Sequence, residues 1–471
     1  MTNRLIRHLG ILLGAVLVLV ELVVLWPTAP PAAATHRPNI VLITTDDMAA
    51  TDLRWMPQTR RLLTDRGVKV SDFLSNQPMC CPARAEILTG QYGHNNGVQA
   101  NNKAPWGGYK ALSRRLDHVG AWLQKAGYRT ALVGKYLNGW EARQTADRGW
   151  TIFNPTLRRI YSPYDQTMFG NGHPHRYPHV YTADLVSRLT SRYITRFSAT
   201  RAPFFIWASQ MVPHDMHVKG RWVNPVPAPR HRDLYPDARP PSLDDPAFNE
   251  ADVGDKPSWV QARSPVTTRR VTALFRARIR ALRAVDDQVR ATVEALRRNG
   301  ELADTYVFFT SDNGFMLGEH RLADRKNVAY DESLRVPLVV RGPGLPAGVT
   351  REATYAMIDL APTFVAIAGA TPGRLLDGRS MLATLRTGAP AADAYLIQAG
   401  DDFSPWWWRG VRTDDYVYVR YAGGFQELYD MRRDPAQLDN VAQQPAYEEV
   451  RERLAGLLSE LEGCSGASCR R

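Results

Sequence analysis

Arg37-Pro-Asn-Ile-Val-Leu-Ile-Thr-Thr-Asp-Asp47 is apolar at every residue from Ile40 to Ile43 and ends in adjacent carboxylates. A continuous apolar run of this length, rich in β-branched residues, reads as a strand buried on both faces, as in α/β sheets. Tyr306-Val-Phe-Phe-Thr310 has the same character, and it too runs into oxygen-bearing side chains, Ser311-Asp312-Asn313-Gly314. Similar runs are Thr130–Gly134, Phe204–Ala208 and Val336–Val340. Between them lie stretches of helical spacing: Leu116–Ala126, Tyr181–Phe197 and Thr268–Arg298. The last carries Val271, Leu274, Phe275, Leu282, Val285, Val289, Val293 and Leu296, and stops at Asn299-Gly300. Alternating strands and helices predict an α/β fold, a large mostly parallel or mixed sheet sandwiched by helices.

From about Lys219 to Pro265 the chain is rich in Pro and Asp without periodicity, which predicts a long surface insertion of the kind that often frames an active site. Near Asp393 the pattern changes. Gly410–Gly424 and Gln426–Asp430 read as antiparallel strands, and about 446–461 as a helix, making a small C-terminal α+β antiparallel-sheet subdomain. The expected organisation is residues 1–34 as a leader, 36–392 as the main domain and 393–471 as the terminal subdomain, closing one side of the pocket.

The leader has Arg4, Arg7 and His8, then an apolar run from Leu9 to Trp26, then small residues at Ala32 and Ala34. This fits an export signal cut after Ala34, with an uncleaved membrane anchor through 9–26 as the alternative. Either way the protein is expected to be secreted or extracytoplasmic. The formal charge of +12 falls by only one when Arg4, Arg7 and Glu21 leave, so the basic surplus belongs to the body of the chain. It suits nucleic acid, an anionic membrane or an anionic substrate. Export and the absence of a recognisable module argue against nucleic acid. Of the four cysteines, Cys464 and Cys469 are expected to pair in an oxidising compartment. Cys80 and Cys81 are adjacent, where a mutual bond is strained, and lack partners at zinc-ligand spacing.

In open α/β sheets ligands bind beyond the carboxyl ends of strands, so Asp46, Asp47, Asp312 and Asn313 can converge. Three carboxylates and an amide make a hard oxygen cage suited to Ca²⁺ or Mg²⁺ rather than zinc. Taken singly, each cluster is equally a turn signal.

Met79-Cys-Cys-Pro-Ala-Arg84, followed by Leu88-Thr-Gly90, changes that balance. The segment resembles the type I sulfatases of the alkaline-phosphatase superfamily, whose signature is C-x-P-x-R followed by Leu-Thr-Gly. The usual Ser after the proline is Ala83 here. The resemblance extends through Arg37–Asp47, Gly134-Lys-Tyr-Leu-Asn138, Val212-Pro-His214, Phe309–Arg321, Lys326 with Tyr330-Asp-Glu and Arg335-Val-Pro337, and Glu427–Pro435. It implies an alkaline-phosphatase-like fold and conversion of Cys80 to formylglycine by the formylglycine-generating enzyme. Cys81, at a variable position, becomes a packed small hydrophobe. It also implies Ca²⁺, with Mg²⁺ second, on Asp46, Asp47, modified Cys80, Asp312 and Asn313. Arg84, Lys135 and Lys326 would neutralise the sulfate, and His214 would protonate the departing alcohol.

Many members carry a histidine where Leu137 stands, which leaves Asn138 or His94 as candidate bases for release of sulfate. His320, His217 and His94 are otherwise read as structural, and the Arg276–Arg298 face of the long helix as solvated. Lys135-Tyr-Leu-Asn138, Cys80-Cys-Pro82 and Tyr92-Gly-His-Asn-Asn-Gly97 look most like the branch of N-acetylglucosamine-6-sulfatases and extracellular heparan sulfatases. The expectation is hydrolysis of a sulfate ester on a sugar, or on an aryl model substrate. The alternatives are a phosphonate or phosphodiester hydrolase of the same superfamily and a non-catalytic anionic-glycan-binding protein with unmodified Cys80.

Overall fold

Asn39–Thr45 forms a strand in which every residue is buried, and it lies in the middle of a ten-stranded sheet. The structure, a computed structural model, describes residues 37–101, 105–141, 148–389 and 392–471; the leader or anchor expected over 1–34 lies outside them. Across the sheet the order is Val349–Arg351, Val68–Val70, Leu338–Arg341, Thr305–Ser311, Asn39–Thr45, Phe204–Ser209, Arg129–Gly134, Ile152–Leu157, Gln166–Gly170 and His173–Tyr177. The five strands from Thr305–Ser311 to Ile152–Leu157 run parallel. Antiparallel pairings enter on both sides, through Leu338–Arg341 and through Gln166–Gly170.

Alternate residues of the central strands feed two cores. Ile40, Leu42, Leu132, Phe205, Trp207 and Phe308 pack with the helices Val119–Lys125 and Leu360–Ala368. Val41, Ile43, Val133, Ile206, Ala208 and Phe309 pack with Thr182–Ser198 and Thr268–Arg298. Continuous apolar strands are thus explained by helices on both faces. The fold is alkaline-phosphatase-like, a large mixed sheet with a separate terminal sheet of four antiparallel strands, Ala394–Ala399, Trp408–Thr413, Tyr416–Tyr421 and Gln426–Asp430. The helix Glu448–Leu461 follows, and Cys464 is bonded to Cys469 as expected.

Two expectations are corrected. The stretch 219–265 is not simply a surface insertion, because Ala247, Lys256 and Val260 within it are fully buried. Lys256 pairs with Glu250 and Asp255 and donates to the Leu438 carbonyl, which ties the stretch to the terminal unit. Nor is the arginine face of the long helix solvated throughout. Arg276 donates to Ala238 O (2.9 Å) and Arg280 to Leu234 O (2.6 Å), so that same stretch covers it, whereas Arg290 and Arg298 remain exposed.

Candidate active site

Parallel strands deliver their last residues to one point. Beyond Asn39–Thr45, Asp46 N donates to Val212 O (3.3 Å) and Asp47 N to Asp312 Oδ1 (3.2 Å), which joins three strand ends. Lys135 follows Arg129–Gly134, and its amide donates to Ser209 O (2.9 Å). Gly134 is required there: its φ is +103°, and a Cβ would stand 1.8 Å from Ser209 O. Cys80 begins the helix Cys80–Thr89, all ten residues of which are buried.

One oxygen each of Asp46 and Asp47, the Cys80 sulfur and a His214 nitrogen lie within 4.8 Å of one another, a possible Asp/His/Cys metal site. Cys80 Sγ is 3.3 Å from Asp46 Oδ1 and accepts from Lys326 Nζ at 2.8 Å. Burial, with Asp46 second, pushes the thiol up to about 12, so the unmodified side chain is a protonated, weak nucleophile at neutral pH. Lys135 pairs with Asp46, and Lys326 with Asp47; their side chains are 1% and 14% exposed. Asn313 Nδ2 donates to Asp47 Oδ1 (2.8 Å), while its Oδ1 is buried without a hydrogen-bond partner. That orphan oxygen beside crowded carboxylates fits a hard divalent cation.

The electrostatics are lopsided. Burial opposes ionisation of Asp46, yet Lys135, His214, Arg84 and Lys326 outweigh it and hold the carboxyl well below the usual range. Asp312 moves the other way, to about 6, through burial and then the Asp46 charge, although Arg84 opposes the shift. Arg84 Nε donates to Asp312 Oδ2 (2.9 Å) and Nη2 lies 2.8 Å from the same oxygen. Its Nη1 donates to Lys135 O (3.0 Å) and to Ser209 Oγ, so the guanidinium is taken up by protein groups behind the carboxylate. Three carboxylates meet three cationic side chains, and a divalent cation would therefore leave the pocket with surplus positive charge.

His214 faces the cluster with Nε2 3.6 Å from Asp47 Oδ2, while Nδ1 is 2.8 Å from Asp215 O. A carbonyl only accepts, so Nδ1 carries a proton. Burial pulls the imidazole below its ordinary value, against the opposing charges of Asp47 and Asp46. Tyr161 stacks on His214 at 4.3 Å and lies 4.9 Å from Lys135 Nζ.

Other sequence candidates lie elsewhere. His94 is 2.9 Å from Cys464 O, against the terminal disulfide loop, and His320 pairs with Glu250 (2.6 Å) and stacks on Tyr330 (4.1 Å). Leu137 and Cys81 are core residues. Asn138 is buried, and its carbonyl accepts from Tyr109 N (2.7 Å). Arg278 was missed: its Nη2, fully buried, donates to Asp47 O (2.5 Å) and pairs with Asp52 (3.0 Å), which fixes the Asp47 turn from behind. Its signal was available, since position 278 falls on the apolar stripe between Phe275 and Leu282.

The terminal sheet backs the segment that carries Lys326. Asn327 Nδ2 donates to Gly400 O (3.1 Å), Trp408 Nε1 to Asn327 O (3.1 Å) and Tyr330 OH to Glu427 (2.9 Å).

The sulfatase family pattern matches residues 38–370, and the pattern of the N-sulphoglucosamine sulphohydrolase C-terminal region matches 318–463. The chain therefore belongs to the sulfatase family and is a sulfuric ester hydrolase. It is 31% identical to an arylsulfatase of Volvox carteri, over 96% of this chain and 78% of that one. To the N-acetylglucosamine-6-sulfatase of Homo sapiens it is 29% identical, over 93% and 87%. A solved protein in complex with its substrate D-glucosamine-2-N,6-O-disulfate shares the fold, with a TM-score of 0.77, 22% identity and coverage of 90% and 97%.

Proposed function

We propose that the protein removes sulfate from a sulfated sugar, with the 6-sulfate of N-acetylglucosamine as the first candidate, after export through the leader with cleavage behind Ala34. The observation that carries this reading is the convergence of Lys135, Lys326 and His214 on Cys80 and two carboxylates in one buried cluster. Kinship with sugar sulfatases supports the sugar assignment.

Asp46, Asp47, Asp312 and Asn313 would hold Ca²⁺, which supplies charge neutralisation at the sulfate oxygens. Position 80, oxidised to formylglycine by a formylglycine-generating enzyme, would supply a hydrated aldehyde in place of the weak thiol. Around these groups the chain does four things. Lys135 and Lys326 bind the sulfate oxygens and orient sulfur towards position 80. Arg84 keeps Asp312 ionised and in place. Arg278 holds the Asp47 turn. His214, in the doubly protonated form that the charges of Asp47 and Asp46 favour, delivers a proton from Nε2 to the alcohol oxygen as the sulfur–oxygen bond breaks and keeps the proton on Nδ1.

The test is sulfate release, read by ion chromatography, from a panel of sulfated monosaccharides and p-nitrophenyl sulfate, with a phenylphosphonate ester for comparison. N-acetylglucosamine 6-sulfate should show the highest kcat/KM among the sugars. Faster release from a different sulfated position overturns that assignment, and preferred hydrolysis of the phosphonate overturns the sulfate reading. A peptide mass spectrum of active protein retaining the full thiol mass at Cys80 overturns the formylglycine step.

A further inference from the structure

Among the described residues few large apolar side chains stand in solvent, and Trp222 is one of them, 58% exposed on the hairpin Met216–Val218/Arg221–Val223. Its ring lies 6.0 Å from His214, 5.3 Å from Tyr161 and 5.5 Å from His217. The rings thus form a row leading outward from Lys135, through Tyr161 and His214, to Trp222 at the surface. Behind the hairpin opens a cleft of about 380 Å³, lined among others by Arg159, Ser162, Tyr164, Asp165, His217 and Lys219. That volume lies in the range of ligand clefts, roughly 300–1,000 Å³. Asp165 is engaged by Arg176 (3.6 Å) and by His179 N (3.1 Å), whereas neither Arg159 nor Lys219 forms an ion pair among the described residues. The cleft therefore presents positive charge.

Geometry connects this row to the reaction. The alcohol oxygen that leaves must lie at His214 Nε2 to take its proton. The ring bearing that oxygen then lies on the His214 side of the pocket, where Tyr161 and Trp222 offer aromatic faces. His217 lies against Trp222 and also lines the basic cleft, so the cleft adjoins the outer end of the row.

We infer that Trp222 and the cleft behind it form the leaving-group subsite: Trp222 takes the apolar face of the sugar that carries the sulfate, and Arg159 and Lys219 take an anionic group further along the same glycan. This rests on the sulfated-sugar reading and narrows it to a polyanionic oligosaccharide. Trp222 acts on binding and orientation rather than on the bond that breaks.

The experiment measures competition against p-nitrophenyl sulfate hydrolysis by inorganic sulfate, N-acetylglucosamine 6-sulfate and a heparin-derived tetrasaccharide. Full-length wild type is compared with Trp222→Ala, Trp222→Phe and the double variant Arg159→Glu/Lys219→Glu. Trp222→Ala should weaken both sugars about tenfold relative to inorganic sulfate, a loss of the size aromatic contacts supply. Trp222→Phe should restore most of it. The double variant should lower the preference for tetrasaccharide over monosaccharide about tenfold or more. Equal weakening of all three ligands by Trp222→Ala, or a preference unchanged within about twofold in the double variant, overturns the subsite. Failure of the wild-type enzyme to release sulfate from N-acetylglucosamine 6-sulfate strikes the sugar assignment instead, and the ratios still decide the subsite.

Discussion

Asp47 sits at a φ of +69°, in the left-handed region that costs a non-glycine residue about 1–3 kcal/mol. Its amide bonds Asp312, its carbonyl receives Arg278, and its carboxylate receives Asn313 and Lys326. Four partners hold the residue in a conformation it would otherwise leave. At the same scale, His214→Asn should lower kcat about 10²–10⁴-fold for a sugar sulfate. The loss should be much smaller for p-nitrophenyl sulfate, whose leaving group needs little protonation. Paired steady-state assays check this, and equal losses on both substrates would remove His214 from proton delivery. Cys80→Ala should cost roughly 10³-fold or more in kcat, read in the same assay.

Among the elements, the long helix Thr268–Arg298 couples the core to the site through Arg278, whose guanidinium also lies 4.1 Å from the Phe315 ring. Arg278→Met leaves Asp52 buried without its partner, and that carboxylate already has an unpaired oxygen. Urea unfolding should report a loss of about 3–5 kcal/mol, the usual result of removing one member of a buried pair. Arg278 also illustrates what the sequence concealed. A cation on an apolar stripe reads as an interruption until Asp52 and the Asp47 carbonyl are brought to it from more than two hundred residues away. The central strands and the helices at 182–198 and 268–298 were legible because apolar spacing alone specifies them. The helix expected from Leu116 begins at Val119, since 113–116 is taken up by turns before the His118 cap. Ile152–Leu157 was hidden by Asn154 and Pro155, which break the apolar run, and His173–Tyr177 by its exposure at the edge. Within the site, motif residues were found where chemistry restricts the residue type. Trp222 and Tyr161 were not, because an aromatic residue outside the motifs carries no such restriction.

At the scale of the whole molecule, stability should respond to both cation and pH. A cation bound only by the folded protein adds about 2.7 kcal/mol at a hundredfold excess over its Kd. Calcium should therefore raise Tm and a chelator lower it, and Asp312→Asn should reduce the increment. A Tm indifferent to calcium would sink the assigned cage. Glu319 gives the pH test. Burial, with Asp245 and Asp52 adding like charge, raises it from 4.5 to about 7 in the folded protein. The folded state thus favours the protonated acid, so its stabilising contribution is complete below the unfolded value and is lost as pH rises through about 7. Glu319→Gln should flatten the fall in unfolding free energy between those limits. An unchanged slope in denaturant titrations across that window would exclude Glu319 as its origin.

The burial of Cys80–Thr89 sets a timetable. In the finished fold Cys80 has no exposed surface, and its surroundings arrive late in synthesis: Lys326, which contacts it, and Asp312, which holds Arg84 of the same helix, follow it by more than two hundred residues, and the sheet that braces Lys326 comes later still. A second enzyme would have to grasp the backbone around Cys80, which the closed helix and its packing forbid. Any enzyme that rewrites this side chain must therefore work during a window while the chain is still emerging. If activity needs the oxidised side chain proposed above, a molecule that folds before that appointment would be well formed and permanently silent.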